Sequence, residues 1–264
     1  MRRRLRINQI VSDFAPKPLN QCRILDIASL EGGYSAEFAK RGAEVLGVEG
    51  RQINIERAKA RHTMPNLKFV RDDVRNISRE KYGEFDIVLC LGILYHLDAP
   101  ECFKLLELIG EVCTGFAIID THFAIKPDEV VKYNDREYHG WRFIEYDHEP
   151  TEKETEETVW ASIGNRESFW MTKPSLVNAI VDAGFNSVYE SQYPAWNDIP
   201  ADRVAMIAVK GAKQELLNND FNYSFDEKIL NERVDETPKV PPVAGNAAQP
   251  ASLKNRIARK LGLN

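Results

Sequence analysis

DIASLEGGYSAEF, residues 26–38, is the stretch on which the reading of this chain turns. It continues an apolar run, RILDI, passes through small residues to the pair Gly32 and Gly33, and enters a segment with helical spacing of its apolar residues. A strand that turns so tightly into a helix lets backbone approach a ligand, because glycine has no Cβ and tolerates positive φ. The dinucleotide fingerprint G-x-G-x-x-G is absent. Glu31 beside the turn would also repel a phosphate, so the ligand read from this stretch is not anionic at that point.

Working outward, strand-like runs alternate with helix-like ones. CRILDI (22–27), AEVLGVE (43–49), LKFVRDD (67–73), FDIVLCLG (85–92) and GFAIIDTH (115–122) are short and rich in branched and aromatic residues. SAEFAKRG ends at Gly42, RQINIERAKARH carries Ile53 and Ala58 in helical rhythm, and PECFKLLELIGEVC spaces Phe103, Leu106 and Ile109 three apart after Pro100. This alternation predicts an α/β fold, a parallel sheet with helices on both faces. Residues 1–20 read as an N-terminal helical segment and 21–210 as the main domain. After Phe123 the rhythm breaks, and 124–170 reads as an insertion over the ligand-binding edge, with EPTEKETEE a solvated loop. The pattern resumes with the helix KPSLVNAIVDAGF and the strands NSVYESQY and DRVAMIAVK. Residues 211–264 read as a tail, with a Pro/Ala linker, TPKVPPVAGNAAQP, and a short basic amphipathic helix, SLKNRIARKLGLN.

Composition narrows the function classes. A chain of 264 residues with 43% hydrophobic content supports one large core, and a net charge of −5 gives no general attraction to polyanions, so nucleic acid is not an expected partner. Cys22, Cys90, Cys102 and Cys113 lack C-x-x-C spacing and read as core residues of a protein in the reducing cytoplasm. The basic start MRRRLRINQI has no apolar region behind it, and no segment reaches the roughly 18 apolar residues of a membrane span. In the tail, Leu253, Ile257 and Leu261 recur every four residues among lysines and arginines, a pattern for peripheral contact with an anionic membrane surface or an acidic protein.

Taken in order, LDIASLEGG, VLGVEG, FVRDDV and FDIVLCLGILYHL resemble class I S-adenosylmethionine-dependent methyltransferases over residues 20–122, and 168–210 matches that family's last helix and two strands. The resemblance implies a Rossmann-like seven-stranded, mostly parallel sheet with an insertion after the fifth strand, and S-adenosyl-L-methionine as cofactor. Ala28 and Leu30 depart from it, standing where the family's first motif, D-x-G-x-G-x-G, has its first two glycines; Gly32 keeps the third. It implies that Asp26, Ala28, Leu30, Gly32 and Tyr34 bring the turn to the cofactor. Glu49, with Gly50, would accept hydrogen bonds from the ribose hydroxyls, and Asp73 and Val74 would meet the adenine, with Leu91 in the same site. A cationic sulfonium then explains why Glu31 is tolerated at the turn.

Methyl transfer to a hydroxyl needs alignment and a base for the proton. Of the five histidines, His96 and His122 follow strands at the ligand edge. His122 reads as the base beside the acceptor, with Asp120 on the same face of the strand to orient it, and His96 as the alternative. Asp120 and His122 could join His139 or Asp147 around a divalent ion, but no local spacing supports this and no metal is expected. Tyr138, Trp141, Phe143, Trp160, Phe169 and Trp170 would form the acceptor pocket or pack the insertion on the sheet. The expected activity is O-methylation of a small-molecule or glycan hydroxyl. A tRNA wobble-uridine-type methyltransferase and a non-catalytic cofactor-binding protein of the same fold stay open as alternatives.

Overall fold

The computed structural model of the chain describes residues 2–192 and 200–211. The linker and basic helix expected in the tail lie outside the described residues. A helix α1 (Arg2–Phe14) leads into β1 (Arg23–Ile27), α2 (Gly33–Lys40), β2 (Glu44–Glu49), α3 (Gln52–Arg61), β3 (Leu67–Arg71), α4 (Arg79–Tyr82), β4 (Phe85–Leu91), α5 (Glu101–Val112) and β5 (Cys113–His122). Then come β6 (Glu129–Tyr133), β7 (Arg136–Ile144), α6 (Glu152–Glu157), β8 (Glu167–Met171), α7 (Lys173–Asp182), β9 (Ser187–Ser191) and β10 (Arg203–Val209).

Seven strands form one sheet in the order β3-β2-β1-β4-β5-β10-β9, in which β10 alone runs antiparallel to its neighbours. β1 pairs in parallel with β2 on one side and β4 on the other, Ile24 lying opposite Val45 and Ile87. The two-residue strand period then sends successive side chains to different layers. Leu25, Ile27 and Val88 face the core built with α5 and α7, among them Leu106, Ile109, Leu176 and Ile180. Ile24, Ile87 and Leu89 face the other core, with Ile7 and Val11 of α1, Phe38 of α2 and Ile55 of α3. The strands are therefore apolar throughout because both faces are covered. Among the described residues, no helix is long and apolar enough to cross a membrane.

Residues 124–170, read as an insertion where the rhythm breaks, carry most of a second, antiparallel sheet, β6-β7-β8. Its core side is thin, so the alternation is brief: Tyr138 and Gly140 of β7 are buried while Glu137 and His139 are exposed. Tyr138 and Phe169 pack their rings 4.6 and 6.1 Å from Phe103 of α5, which fastens this sheet to the first. Two local expectations need correction, in the acidic run and in α3. The acidic run contains α6, nucleated by a capping box in which the Thr151 side chain accepts from the Glu154 amide and Glu154 caps the Thr151 amide. In α3 the inward residues are Asn54, Ile55 and Ala58, and Ile53 is exposed, because the helix starts one residue after Arg51 and that sets its phase.

α5 and α7 pack closely at Gly110, where a Cβ would collide with the carbonyl oxygen of Ala183. Gly110→Ala should therefore cost at least about 2 kcal/mol through overpacking against backbone that has no rotamer to yield. Gly164→Ala, at a site with open space but φ +83°, should lose only about 1 kcal/mol. Urea unfolding midpoints check the pair, and an unchanged midpoint for Gly110→Ala would contradict the packing described.

Candidate active site

The strand order reverses between β1 and β4, and the turns after β1, β2, β3 and β4 open there onto a cavity of about 510 Å³. That is within the range of about 300–1,000 Å³ usual for small-molecule sites, and the place, outside the carboxyl ends at the switch point, is where open α/β sheets bind ligands. Ala28 and Leu30 line it from the β1 turn, Glu49 and Gly50 from β2, Asp73 and Val74 from β3, and Leu91 from β4. Val159 to Ile163 of the inserted segment form a further wall, including Trp160, which is 77% exposed.

The β1 turn keeps a glycine-type path with non-glycine residues. Ala28 and Leu30 hold φ of 53° and 49°, and Gly32 follows at 76°. Each L-residue in the left-handed region costs about 1–2 kcal/mol, so something must hold them. The Ser29 amide donates to Val48 O at 3.0 Å, the Gly32 amide to Ser29 O at 2.9 Å, and the Leu30 amide to Glu49 Oε2 at 2.9 Å. The third glycine survives for a steric reason, since a Cβ on Gly32 would enter the Phe69 ring. Glu31 turns its carboxylate to Arg57 and Arg61 of α3 and does not line the cavity.

Glu49 is buried and central. Its Oε1 accepts from the Arg51 amide at 2.9 Å and from Asn54 Nδ2 at 3.3 Å, while Oε2 takes the Leu30 amide. A carboxylate has about four acceptor directions, so one on Oε2 is left for a ligand hydroxyl. Two buried atoms beside it, Ser29 Oγ and Asn54 Oδ1, have no hydrogen-bond partner among the described residues. Neither residue lines the cavity, and an ordered water is the ordinary remedy for such groups. Asp26 lies behind the turn, outside the cavity lining, and accepts from Ser35 Oγ at 2.5 Å. Burial pushes its carboxyl up to about 7, against the Ser35 hydrogen bonds and with a smaller push from Glu49.

Asp72 and Asp73 both line the cavity. Burial raises Asp72, but bonds from Asn76, Lys81 and Tyr82 outweigh it and hold it at about 2. Asp73 caps the following turn and pairs with Arg75 at 2.5 Å.

The catalytic expectations are redistributed. His122 does not line the cavity: its Nδ1 lies 3.1 Å from Asp202, Arg203 Nη1 lies 3.3 Å from its Nε2, and its ring stacks on Trp170. Burial and Arg203 hold its pKa below the ordinary histidine range. Asp120 does not orient it, because that buried carboxylate is taken by Arg3 and Arg203, whose side chains do line the cavity. The i, i+2 argument for Asp120 and His122 could not see the two arginines arriving from α1 and β10. Tyr34 and Gly32 also stand outside the lining; the Tyr34 ring lies 5.9 Å from the guanidinium carbons of Arg3 and Arg4. His96 does line the cavity, its Nδ1 held by Glu145 at 2.9 Å. Of the aromatic residues, Trp160 lines the cavity, whereas Tyr138, Phe169 and Trp170 are buried in packing.

Arg51 was missed by sequence reasoning. It is buried at the start of α3 and donates to the carbonyls of Thr155, Thr158 and Ala161, so one guanidinium clasps the inserted segment over the cavity. Ile163 seals the same edge, since a Cβ on Gly50 would lie 2.8 Å from its Cδ1.

Residues 24–114 match a family described as a methyltransferase domain. That match spans about a third of the chain, from β1 to the start of β5. The ubiquinone biosynthesis O-methyltransferase of Psychrobacter cryohalolentis is 31% identical over 100 residues, 34% of this chain and 38% of that relative. The protein of the same name from Acinetobacter baylyi is 28% identical over 81 residues, 30% of this chain and 34% of that relative. The chain thus matches less than half the length of these curated relatives. Among solved structures, the N-terminal domain of EvdMO1 with SAH bound has a TM-score of 0.63 at 23% identity, covering 79% of this chain and 81% of that one. Magnesium protoporphyrin IX methyltransferase from Synechocystis with bound SAM has a TM-score of 0.51 at 15% identity, covering 79% and 80%. At these identities the likeness is one of fold.

The raised carboxyl of Asp26 has a consequence for stability. Its unfolded value is near 3.8 and its folded one about 7, so the native state binds more protons between those values and stability falls as pH rises through that window. Asp26→Asn removes the effect, and its stability relative to the parent should be higher at pH 8 than at pH 5 by roughly 2–3 kcal/mol. Urea titrations at both pH values measure the difference, and equal differences would show that Asp26 is ionised in the native protein.

Proposed function

We propose that this chain binds S-adenosyl-L-methionine in the switch-point cavity and methylates a hydroxyl oxygen of a small molecule or a sugar. The observation that carries the reading is the Glu49 carboxylate, buried at the cavity wall with an acceptor direction free beside the left-handed turn. The apolar side chains of Val74, Leu91, Leu97 and Ile163 along the same cavity suit a purine face, and Glu49 suits a ribose hydroxyl. Arg3 and Arg203 supply positive charge where the amino-acid carboxylate of such a ligand would sit. Support for an oxygen acceptor comes from the O-methyltransferases among the curated relatives.

The bound cofactor would supply a methyl group already activated on sulfonium sulfur. The protein's part is alignment and proton removal. Nε2 of His96 has no partner among the described residues, while Nδ1 is engaged by Glu145. With Nδ1 held by Glu145, His96 would offer Nε2 to the acceptor hydroxyl and take its proton as the oxygen receives the methyl group that the cofactor would supply, with the thioether as leaving group. His122, outside the cavity lining with Arg203 at its Nε2 and its ring stacked on Trp170, is left to packing. The segment Val159–Ile163 keeps water from the reacting atoms.

Two measurements test this. Glu49→Gln removes a charge-assisted bond of about 1.5–3 kcal/mol and should weaken calorimetric binding of S-adenosylhomocysteine tenfold or more. On an acceptor found by screening hydroxylated small molecules and sugars, His96→Ala should lower single turnover by about 10²- to 10⁴-fold with cofactor affinity kept, and His122→Ala by far less. Binding without turnover on any acceptor would support a non-catalytic cofactor-binding role, and no binding would overturn both.

A further inference from the structure

Glu145, the residue after β7, holds His96, and its surroundings are unusual for a buried carboxylate. Its side chain is 2% exposed. Oε1 accepts from Ser168 Oγ at 2.9 Å and lies 2.9 Å from His96 Nδ1; Oε2 accepts from the Ser162 amide at 3.1 Å. No lysine or arginine pairs with it among the described residues. Arg142 on the same strand is spent on Asp98, Glu129 and Glu167, and Arg166 reaches Glu149.

A carboxylate taken out of water is costly unless an opposite charge or several donors compensate it. Among the described residues, the one group in contact with it that can become cationic is the imidazole of His96. Glu145 is thus best compensated when His96 is protonated, the state a general base reaches as it takes the acceptor's proton. The ring is fixed from its other sides as well. Asn165 Nδ2 donates to His96 O at 3.0 Å, Trp170 Nε1 donates to Tyr95 O at 2.9 Å, and the Tyr95 ring lies 4.2 Å from the imidazole. The Ser162 amide belongs to the same segment that Arg51 clasps.

We propose that Glu145 is a positioning residue for this reaction. It fixes neutral His96 as the Nδ1–H tautomer with Nε2 open, stabilises the imidazolium as it forms, and ties the base to the segment that covers the cavity. The proposal rests on His96 as base in the reading above. Proton balance is simple: the acceptor's proton passes to Nε2, the Nδ1 proton stays between His96 and Glu145, and Glu145 remains ionised. Histidine–carboxylate pairs in hydrolases use the same division of labour between orientation and charge. The other charged groups lining the cavity with His96 are Asp72, Asp73, Arg71 and Arg75 at β3, Glu49 and Arg51 at β2, Arg3 on α1 and Arg203 on β10, none of them in hydrogen-bond contact with its ring.

The test uses the full chain and nitrogen-15 NMR of its histidine rings across pH, with S-adenosylhomocysteine as the probe of the cofactor site. His96 should be the Nδ1–H tautomer in the parent protein. In Glu145→Gln its titration midpoint should fall and Nε2–H should appear. Glu145→Ala should speed exchange of the Ser162 amide at least tenfold, while S-adenosylhomocysteine affinity in Glu145→Gln stays within about twofold. Once an acceptor is in hand, Glu145→Gln should lower kcat about 100-fold or more at unchanged KM, with its pH profile shifted to the acid side and partial rescue by Glu145→Asp. An Nε2–H tautomer in the parent, or a titration that Glu145→Gln leaves unmoved, overturns the positioning role even where cofactor binds. Failure of the parent to bind S-adenosylhomocysteine overturns the functional reading beneath it.

Discussion

One carboxylate organises the cavity end of this domain. Glu49 closes the end of β2, and its two oxygens receive the Leu30 amide from the β1 turn, the Arg51 amide from the start of α3, and the Asn54 side chain. Each of those groups would otherwise be a buried donor without a partner, which costs more than the net gain of an ordinary hydrogen bond. The same grip opposes the preference of Ala28 and Leu30 for negative φ. A turn usually built on glycine is thus kept by its neighbours when two of its glycines are replaced, and the cavity keeps its shape.

Arg51 carries that organisation one step farther. Its amide is fixed by Glu49 and its guanidinium by carbonyls of the inserted segment, so the floor and the cover of the cavity meet in one residue. From the cover, the Ser162 amide reaches Glu145, and Glu145 reaches His96. The chain of contacts runs from the proposed ribose position to the proposed base without leaving buried polar groups.

Much of the sheet was legible in the sequence because its signals are local. Apolar strands of five to ten residues, such as RILDI and CTGFAIIDTH, alternate with helices closed by caps and glycines, and both faces being covered makes the strands uniformly apolar. Glu49, Asp73 and the small-residue turn stand at or just past strand ends, and the resemblance to class I methyltransferases marks those ends as the cavity edge. The rest depended on contacts between distant segments. Nothing near His122 in sequence shows that Arg203 lies against its Nε2 and Asp202 beside its Nδ1, and Glu145 lies 49 residues from the histidine it holds. The second sheet was obscured because its strands have one thin buried face, and α6 because the acidic run EPTEKETEE masks a capping box that T-E-K-E spells out at 151–154. Arg51 gave no signal: a buried arginine bound to carbonyls looks, in sequence, like any surface cation at a helix start.

The central claim is that a turn with Ala28 and Leu30 in left-handed conformation still presents Glu49 to a nucleoside. A crystal structure of the chain with S-adenosylhomocysteine tests it most directly. The account predicts φ near 50° at both residues, a ribose hydroxyl within about 3 Å of Glu49 Oε2, and the thioether sulfur on the side of the cavity lined by His96. Ligand bound elsewhere, or a β1 turn that must refold with the Leu30–Glu49 bond broken to admit it, would contradict the account.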